Sequence, residues 1–323
     1  MQTRILCLTP IQDIFGVTRS LRDLGDLTIK PDETSETLER YLEENKTDVL
    51  FVNPNRQQFF LGSKLLNLSG AKVIATASTG TDHIDMRYCA AMDIKVLCLK
   101  DQHIIYQIPS TAEHALALTL SLIRQIPKAM SSVQTGNWDC EQFVGEQISD
   151  LTVGVVGQGR LGTKYAKYCD AMGANILVSD PFVSVPPYPN LSLKELLPQA
   201  DILSLHVHLT DKTRHLINEK ALKLMKTRAV IINTSRGGII DEEAVCSALR
   251  AETLGGYATD VLQDEHNHEV QSPVIQAMSE GENVIVTPHI GGMTRGAREM
   301  AYNHAVTMLK KHLTTNEIRI STQ

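Results

Sequence analysis

Between Thr152 and Asp180 the chain runs through an apolar, β-branched stretch, a glycine-rich turn, an amphipathic stretch and a second apolar run that ends on an acid. A strand, a turn opening a helix, and a second strand form a βα unit of a parallel sheet. The same alternation extends over most of the chain. In the first part, strands are expected at Arg4–Leu8, Asp48–Val52, Val73–Thr76 and Lys95–Cys98, with helices at Ser35–Glu44 and Ile84–Met92 between them. After Leu151, strands are expected at Thr152–Val156, Asn175–Ser179, Ile202–Leu205, Ala229–Ile232, Gly256–Thr259 and Val284–Val286.

A long helix fits Pro109–Ala129, with Ser110 or Thr111 as its cap and Pro127 at its far end. Ser131–Asp150 has little periodicity and carries Trp138, which suits a surface excursion or a subunit contact. Arg295–Leu313 reads as a terminal helix able to return to the first half. At roughly 150 residues per domain, 323 residues make two α/β domains. No apolar run approaches the roughly 18–20 residues of a bilayer span. The net charge of −6 argues against a nucleic-acid partner. The six cysteines form no CxxC pair and read as reduced thiols, and the start of the chain has too short an apolar segment for a signal peptide. A cytoplasmic chain is expected.

Gly157-Gln158-Gly159-Arg160-Leu161-Gly162 is weak evidence alone, but here it follows a strand, opens a helix and precedes Asp180 by the spacing of a dinucleotide-binding unit. Gly157 allows the tight turn, Gly159 lets the backbone approach a pyrophosphate, and Gly162 lets helix and strand pack closely. The helix N-terminus offers N–H groups and partial positive charge to phosphate. Asp180 can accept from the ribose hydroxyls and would repel a 2′-phosphate, which favours NAD over NADP.

Three further stretches each lie just past an expected strand, where open α/β sheets bind ligands: Asn233-Thr234-Ser235-Arg236-Gly237-Gly238, Asp260-Val261-Leu262-Gln263-Asp264-Glu265 and Thr287-Pro288-His289-Ile290-Gly291-Gly292. They would bring a guanidinium, a carboxylate and an imidazole to one crevice beside a nicotinamide. His206 and His208 sit two apart at a strand end and share a face, but no third ligand follows nearby, so no metal site is expected. His266 and His268 suit a solvated acidic loop better than a metal site.

These motifs, with Leu205–Thr210, Ser78-Thr79-Gly80-Thr81-Asp82-His83-Ile84-Asp85 and Ser110-Thr111-Ala112-Glu113-His114-Ala115, resemble in order and spacing the D-isomer-specific 2-hydroxyacid dehydrogenases. The likeness covers nearly the whole chain. It implies two doubly wound parallel-sheet domains, with a Rossmann-type NAD domain (residues 104–289) inserted in a flavodoxin-like substrate domain (1–103 and 290–323). It also implies hydride transfer at C2 of a 2-oxo or 2-hydroxy acid, and a homodimer. Catalysis would fall to Arg236 on the substrate carboxylate, His289 as acid–base and Glu265 as its orienting partner. Gly157, Gly159, Arg160, Leu161, Gly162, Asp180, His206, Val207, Thr213, Thr234, Ser235, Arg236, Asp260, His289, Gly291 and Thr79 would meet the cofactor, with Asp260 on the nicotinamide carboxamide. Ser78, Thr79, Gly80 and Arg236 would meet the substrate. Arg56 either meets a substrate phosphate or is an exposed arginine.

The chain departs from the family pattern at His208 and His266, where proline is usual, and at Tyr106-Gln107-Ile108-Pro109, where asparagine is common. Proline would fix φ in those loops, so their rigidity is the property in question. The chain stops soon after the terminal helix, which implies that the regulatory extension of longer phosphoglycerate dehydrogenases is absent. Two other functions fit the motifs: an NAD-sensing interaction protein like the C-terminal-binding corepressors, and a related dehydrogenase acting on formate or phosphite.

Overall fold

The computed structural model describes residues 2–54, 59–265 and 272–321, with side chains as far as residue 315. It divides into two compact units. One holds Met1–Ile108 and Met293–Gln323, and the other runs from Pro109 to Gly292 apart from a short loop segment.

In the first unit, β1 (Arg4–Cys7), β2 (Asp26–Ile29), β3 (Val49–Val52), β4 (Val73–Thr76) and β5 (Lys95–Leu97) form a parallel sheet in the order β2-β1-β3-β4-β5. Alternate residues separate onto two faces. Ile5, Cys7, Val49, Phe51, Val73 and Ala75 share a buried cluster with Tyr302, Ala305 and Leu309 of the terminal helix Arg295–Ser321. Leu6, Leu8, Leu50, Val52 and Ile74 share another with Leu38, Leu42, Leu65 and Leu66. Each leucine buried this way contributes roughly 1.5–3 kcal/mol. The terminal helix thus returns to the first sheet, tied by the Thr9 and Tyr302 hydroxyls at 2.9 Å and by Arg298 donating to Asp13. β2 was not expected from sequence. At the sheet edge, with Asp26 exposed and Leu27–Ile29 only half-buried, it lacks the dense apolar run that betrays its neighbours.

In the second unit, β6 (Thr152–Val156), β7 (Asn175–Ser179), β8 (Ile202–Leu205), β9 (Val230–Asn233), β10 (Gly256–Thr259) and β11 (Val284–Val286) form a parallel sheet in the order β11-β10-β9-β8-β6-β7. A parallel bridge from Val178 to Asn190 continues it beyond β7. The chain moves outward from β6 to β7 and then crosses back to β8 on the other side of β6. That reversal opens a crevice at the carboxyl ends of β6 and β8.

The expected helix Pro109–Ala129 is two helices, Ser110–Ile123 and Ile126–Gln134, broken at Gln125 with φ 52°. Pro127 opens the second helix instead of ending the first. A proline ring inside a continuous helix would strike the carbonyl four residues back, whereas the first turn accommodates it. The carbonyl of Ile123 accepts from the Glu146 N–H instead. Neither Ser110 nor Thr111 caps the first helix. Pro109 holds the cap position, and the buried Ser110 hydroxyl meets no hydrogen-bond partner among the described residues.

Candidate active site

The glycine loop joins β6 to the helix Arg160–Ala171. Gly157 has φ +93°, and a Cβ there would lie 2.6 Å from the His206 carbonyl oxygen, while one at Gly162 would lie 1.9 Å from the Gly157 oxygen. Both positions are closed by the protein itself. A Cβ on Gly159 would meet nothing within 4 Å, and no side chain caps the helix behind it. Open space above an uncapped helix N-terminus suits a bound anion. Arg160 and Leu161 form the first helical positions, both half-buried.

Asp180 stands past the end of β7. Its Oδ2 accepts from Gln158 N at 2.7 Å, and its Oδ1 from Phe182 N and Val183 N at 2.8 and 3.0 Å. A carboxylate has about four acceptor positions, so about one remains for a ribose hydroxyl instead of two. Gln158 also binds both ways to the Val185 main chain.

Past β8, the His206 ring lies against Tyr165, with centroids 5.0 Å apart, and its Nε2 meets Ser204 Oγ at 2.9 Å. Desolvation lowers its pKa to about 3, so the imidazole is neutral. His208 is exposed. Val207 lines the glycine turn, its Cγ1 2.8 Å from where a Gly157 Cβ would stand. Thr213 uses its hydroxyl on its own loop, accepting from Thr210 N and donating to the His208 carbonyl.

At the end of β9, buried Asn233 wraps the next turn, accepting from Ser235 N and donating to the Arg236 carbonyl, each at 3.0 Å. Ser235 donates to the Leu205 carbonyl, and Arg236 Nη1 donates to the Ser235 carbonyl at 2.7 Å. The Thr234 hydroxyl is buried and meets no partner among the described residues, an orphan that a bound ligand would satisfy. Gly237 is obligatory, because a Cβ would fall 2.1 Å from the Leu262 carbonyl carbon and 2.2 Å from Gln263 N. The arginine turn therefore rests on the peptide just ahead of Glu265.

Past β10 and β11 the acid and the imidazole meet. His289 Nδ1 lies 2.9 Å from Glu265 Oε1, and Glu265 Oε2 accepts from Leu262 N. Facing a carboxylate oxygen, Nδ1 is the donor, so Nε2 is the nitrogen able to exchange a proton. His289 has φ 54°, a conformation that strains a side-chain-bearing residue and that its neighbours must enforce. Its N–H donates to the Asp260 carbonyl. The Asp260 carboxylate, 2% exposed, accepts from Thr287 Oγ1 at 2.6 Å, Ile290 N at 2.8 Å and Gly291 N at 2.7 Å. His114 Nε2 approaches it at 3.3 Å and Thr287 Oγ1 at 3.0 Å. Because the Thr287 proton goes to Asp260, His114 Nε2 carries the hydrogen it gives. Burial alone would raise the Asp260 pKa, but His114, Thr287 and the two main-chain N–H groups outweigh it and hold the carboxyl below its ordinary value.

Asp260 thus organises the His289 loop. That role, and those of His114 and Asn233, carry no local sequence signal, whereas the buried Glu242, which accepts from Gln263 N, does. Glu242 has a readable signal, because it shares a helical stripe with the buried Val245, Cys246 and Leu249. Ser78, Thr79 and Gly80 follow β4 in the first unit, where Ser78 Oγ donates to the Gly80 carbonyl at 2.7 Å. Arg56 lies outside the described residues. Among those residues no group of three or more His, Cys, Asp or Glu side chains is arranged to hold a metal.

The family model described as the NAD binding domain of D-isomer specific 2-hydroxyacid dehydrogenase matches residues 116–291. The D-3-phosphoglycerate dehydrogenase of Synechocystis sp. is 38% identical over 235 residues, 71% of this chain and 41% of that protein. That of Methanocaldococcus jannaschii is 32% identical over 317 residues, 96% of this chain and 57% of that protein. The chain spans about half the length of these curated relatives. The crystal structure of D-lactate dehydrogenase from Aquifex aeolicus, complexed with NAD and lactic acid, superposes with a TM-score of 0.83 at 29% identity, over 99% of this chain and 98% of that one. The chain belongs to the D-isomer specific 2-hydroxyacid dehydrogenase family.

Proposed function

We propose that this protein is an NAD-dependent oxidoreductase that interconverts a 2-oxo acid and the corresponding D-2-hydroxy acid. The observation that carries the reading is the Glu265–His289 pair, at 2.9 Å, on strained backbone at the carboxyl edge of a dinucleotide-type sheet. NADH, when bound, supplies the hydride that reaches C2 of the oxo acid. Gly157, Gly159, Arg160, Leu161 and Gly162 would cradle its pyrophosphate, Asp180 one adenosine-ribose hydroxyl, and Thr234 the atoms that satisfy its buried hydroxyl. His206, Val207, Thr213, Ser235 and Gly291 shape the walls around it.

Arg236 would pair with the substrate carboxylate in its two-pronged geometry and draw electron density from the C2 carbonyl. His289 would pass its Nε2 proton to the carbonyl oxygen as C2 gains the hydride, and take it back in the reverse direction. Glu265 would keep the Nδ1 proton in place and favour the imidazolium that forms. Asp260 would hold the loop of His289 and take the nicotinamide carboxamide. Main-chain N–H groups of Ser78, Thr79 and Gly80, in the first unit, would offer hydrogen bonds to a carboxylate.

A homodimer fits the exposed apolar side chains of one stretch of the second unit: Ile126, Met130, Val133, Trp138 and Val144. A cytoplasmic location fits the cysteines, none of which is bridged. No helix of the described residues is long and apolar enough to cross a membrane. The test is NADH oxidation over pyruvate, glyoxylate, hydroxypyruvate, 3-phosphohydroxypyruvate and branched or aromatic 2-oxo acids. Turnover with at least one is expected. Tight NADH binding without turnover on any of them would overturn the reading.

A further inference from the structure

Glu242 is 5% exposed at the first position of helix Glu242–Arg250. A buried carboxylate is costly unless both oxygens are satisfied. Here Oε1 accepts from Gln263 N at 2.8 Å and Oε2 from Ser272 Oγ at 2.9 Å. The helix N-terminus also favours its charge. None of the roles proposed above uses this group.

Its two partners flank Glu265 in sequence. Gln263 precedes it by two residues and Ser272 follows it by seven. The Leu262–Gln263 peptide is also the surface against which Gly237 packs the Arg236 turn, and Leu262 N donates to Glu265 Oε2. One buried carboxylate therefore fixes the peptide on which both the guanidinium turn and the imidazole's acid bear. We propose that Glu242 is a positioning residue for the Glu265–His289 pair and for Arg236, acting through the Gln263 main chain, and that its length, not its charge, is what matters. This rests on the reading of Glu265, His289 and Arg236 given under Proposed function.

Three substitutions separate length from charge. Glu242→Gln keeps the length, an oxygen for Gln263 N and an amide for Ser272 Oγ. Glu242→Asp keeps the charge but falls one methylene short, and Glu242→Ala removes the group. Misplacing reacting groups by about 1 Å costs on the order of 100-fold. The expected result is therefore a kcat lowered about 10- to 100-fold in Glu242→Ala and Glu242→Asp. Glu242→Gln should stay within about threefold of the unsubstituted protein, and NADH affinity by fluorescence titration within about threefold in all three, since Glu242 meets no part of the cofactor cradle.

A purely structural role would lower kcat and NADH affinity together as the folded fraction falls. Unchanged kcat in Glu242→Asp, or Glu242→Gln losing as much as Glu242→Asp, overturns the proposal. That pair decides the matter even where Glu242→Ala does not fold. His289→Gln is assayed alongside. If it turns over like the unsubstituted protein, the reaction reading fails. If it is inactive while Glu242→Asp is not impaired, only this inference fails.

Discussion

The two ends of the carboxyl edge in the second unit are built on opposite plans. At β6 and β7 the chain shapes its surface by leaving side chains out. Gly157 and Gly162 let main chain approach main chain, and Gly159 leaves space open. At β9, β10 and β11, the close approach at Gly237 apart, it does so by burying polar side chains. Asn233, Asp260 and Glu242 each bind main-chain N–H groups of a functional turn. The first plan suits a ligand with a repeating backbone and no side-chain identity, which main-chain dipoles recognise. The second suits chemistry, where one imidazole must be held even in a left-handed conformation. The first end should therefore fail when atoms are added, and the second when hydrogen-bonding atoms are lost or replaced.

The largest effect belongs to the second end. His289→Gln should lower kcat/KM by about 1,000-fold, in the middle of the range for a lost acid–base group. NADH affinity by fluorescence titration should stay near that of the unsubstituted protein. A parallel loss of both would mean that the imidazole holds the cofactor, and the contrast between the two ends would collapse.

At the first end, alanine at Gly162 and at Gly159 should behave differently. At Gly162 the new methyl meets a carbonyl, and overpacking of this kind costs roughly 1–3 kcal/mol, seen as a lower Tm and as NADH affinity weakened by up to about 100-fold. At Gly159 the methyl meets no protein atom, so Tm should hold while NADH affinity falls. Calorimetry with an NADH titration separates the two. Equal Tm losses would show that Gly159 serves packing and not a ligand.

Two buried carboxyls at the second end should respond to pH with opposite signs. Asp260 is held below the ordinary carboxylate range, so its contribution to stability is complete above about pH 4 and is lost as pH falls further. Glu242 is pushed up, chiefly by burial and also by Asp264 and Glu243, so its ionisation works against the fold as pH rises through the raised value. In urea denaturation between about pH 2 and 8, Asp260→Asn should lose about 2 kcal/mol near neutrality, because an amide turns a donor toward N–H groups, and should approach the unsubstituted protein at the acid end. Glu242→Gln should match or exceed the unsubstituted protein near neutrality and lose that margin in acid. Same-sign behaviour would remove the distinction drawn between these two groups.

Much of the first end was legible in the sequence, because steric requirements select glycine and glycine is visible at fixed spacing. The strands were legible too, with buried parallel strands betrayed by dense runs such as Val49–Val52 and Val230–Asn233. The edge strand β2 was not, and neither was the break at Gln125, because Pro127 suits a helix start as well as a helix end. At the second end the chemistry-bearing residues were recognisable, but the residues that hold them were not. His114 is far from Asp260 in sequence, and nothing local shows that its Nε2 meets Thr287 Oγ1 at 3.0 Å. Glu242 looks like an ordinary acidic first turn until its stripe is counted. Long-range polar ties leave little local pattern, because either partner alone has an ordinary surface reading.

The smallest expected effect lies at Asp180, where the two plans overlap, since a side chain helps to hold a glycine loop. Its oxygens already take three main-chain N–H groups, from Gln158, Phe182 and Val183. On the role proposed for Asp180, removing the carboxylate would cost a ribose hydroxyl one charged hydrogen bond, on the order of 1.5–3 kcal/mol at most. It would also remove a charge that repels a 2′-phosphate. Asp180→Ala should therefore narrow the ratio of kcat/KM for NADH over NADPH by about tenfold, with a modest fall in Tm from the three lost main-chain bonds. Steady-state rates with the two cofactors measure the ratio, and thermal unfolding without cofactor measures the structural share. If Tm falls while the ratio is unchanged, Asp180 belongs wholly to the loop, and cofactor choice must be made elsewhere along the edge.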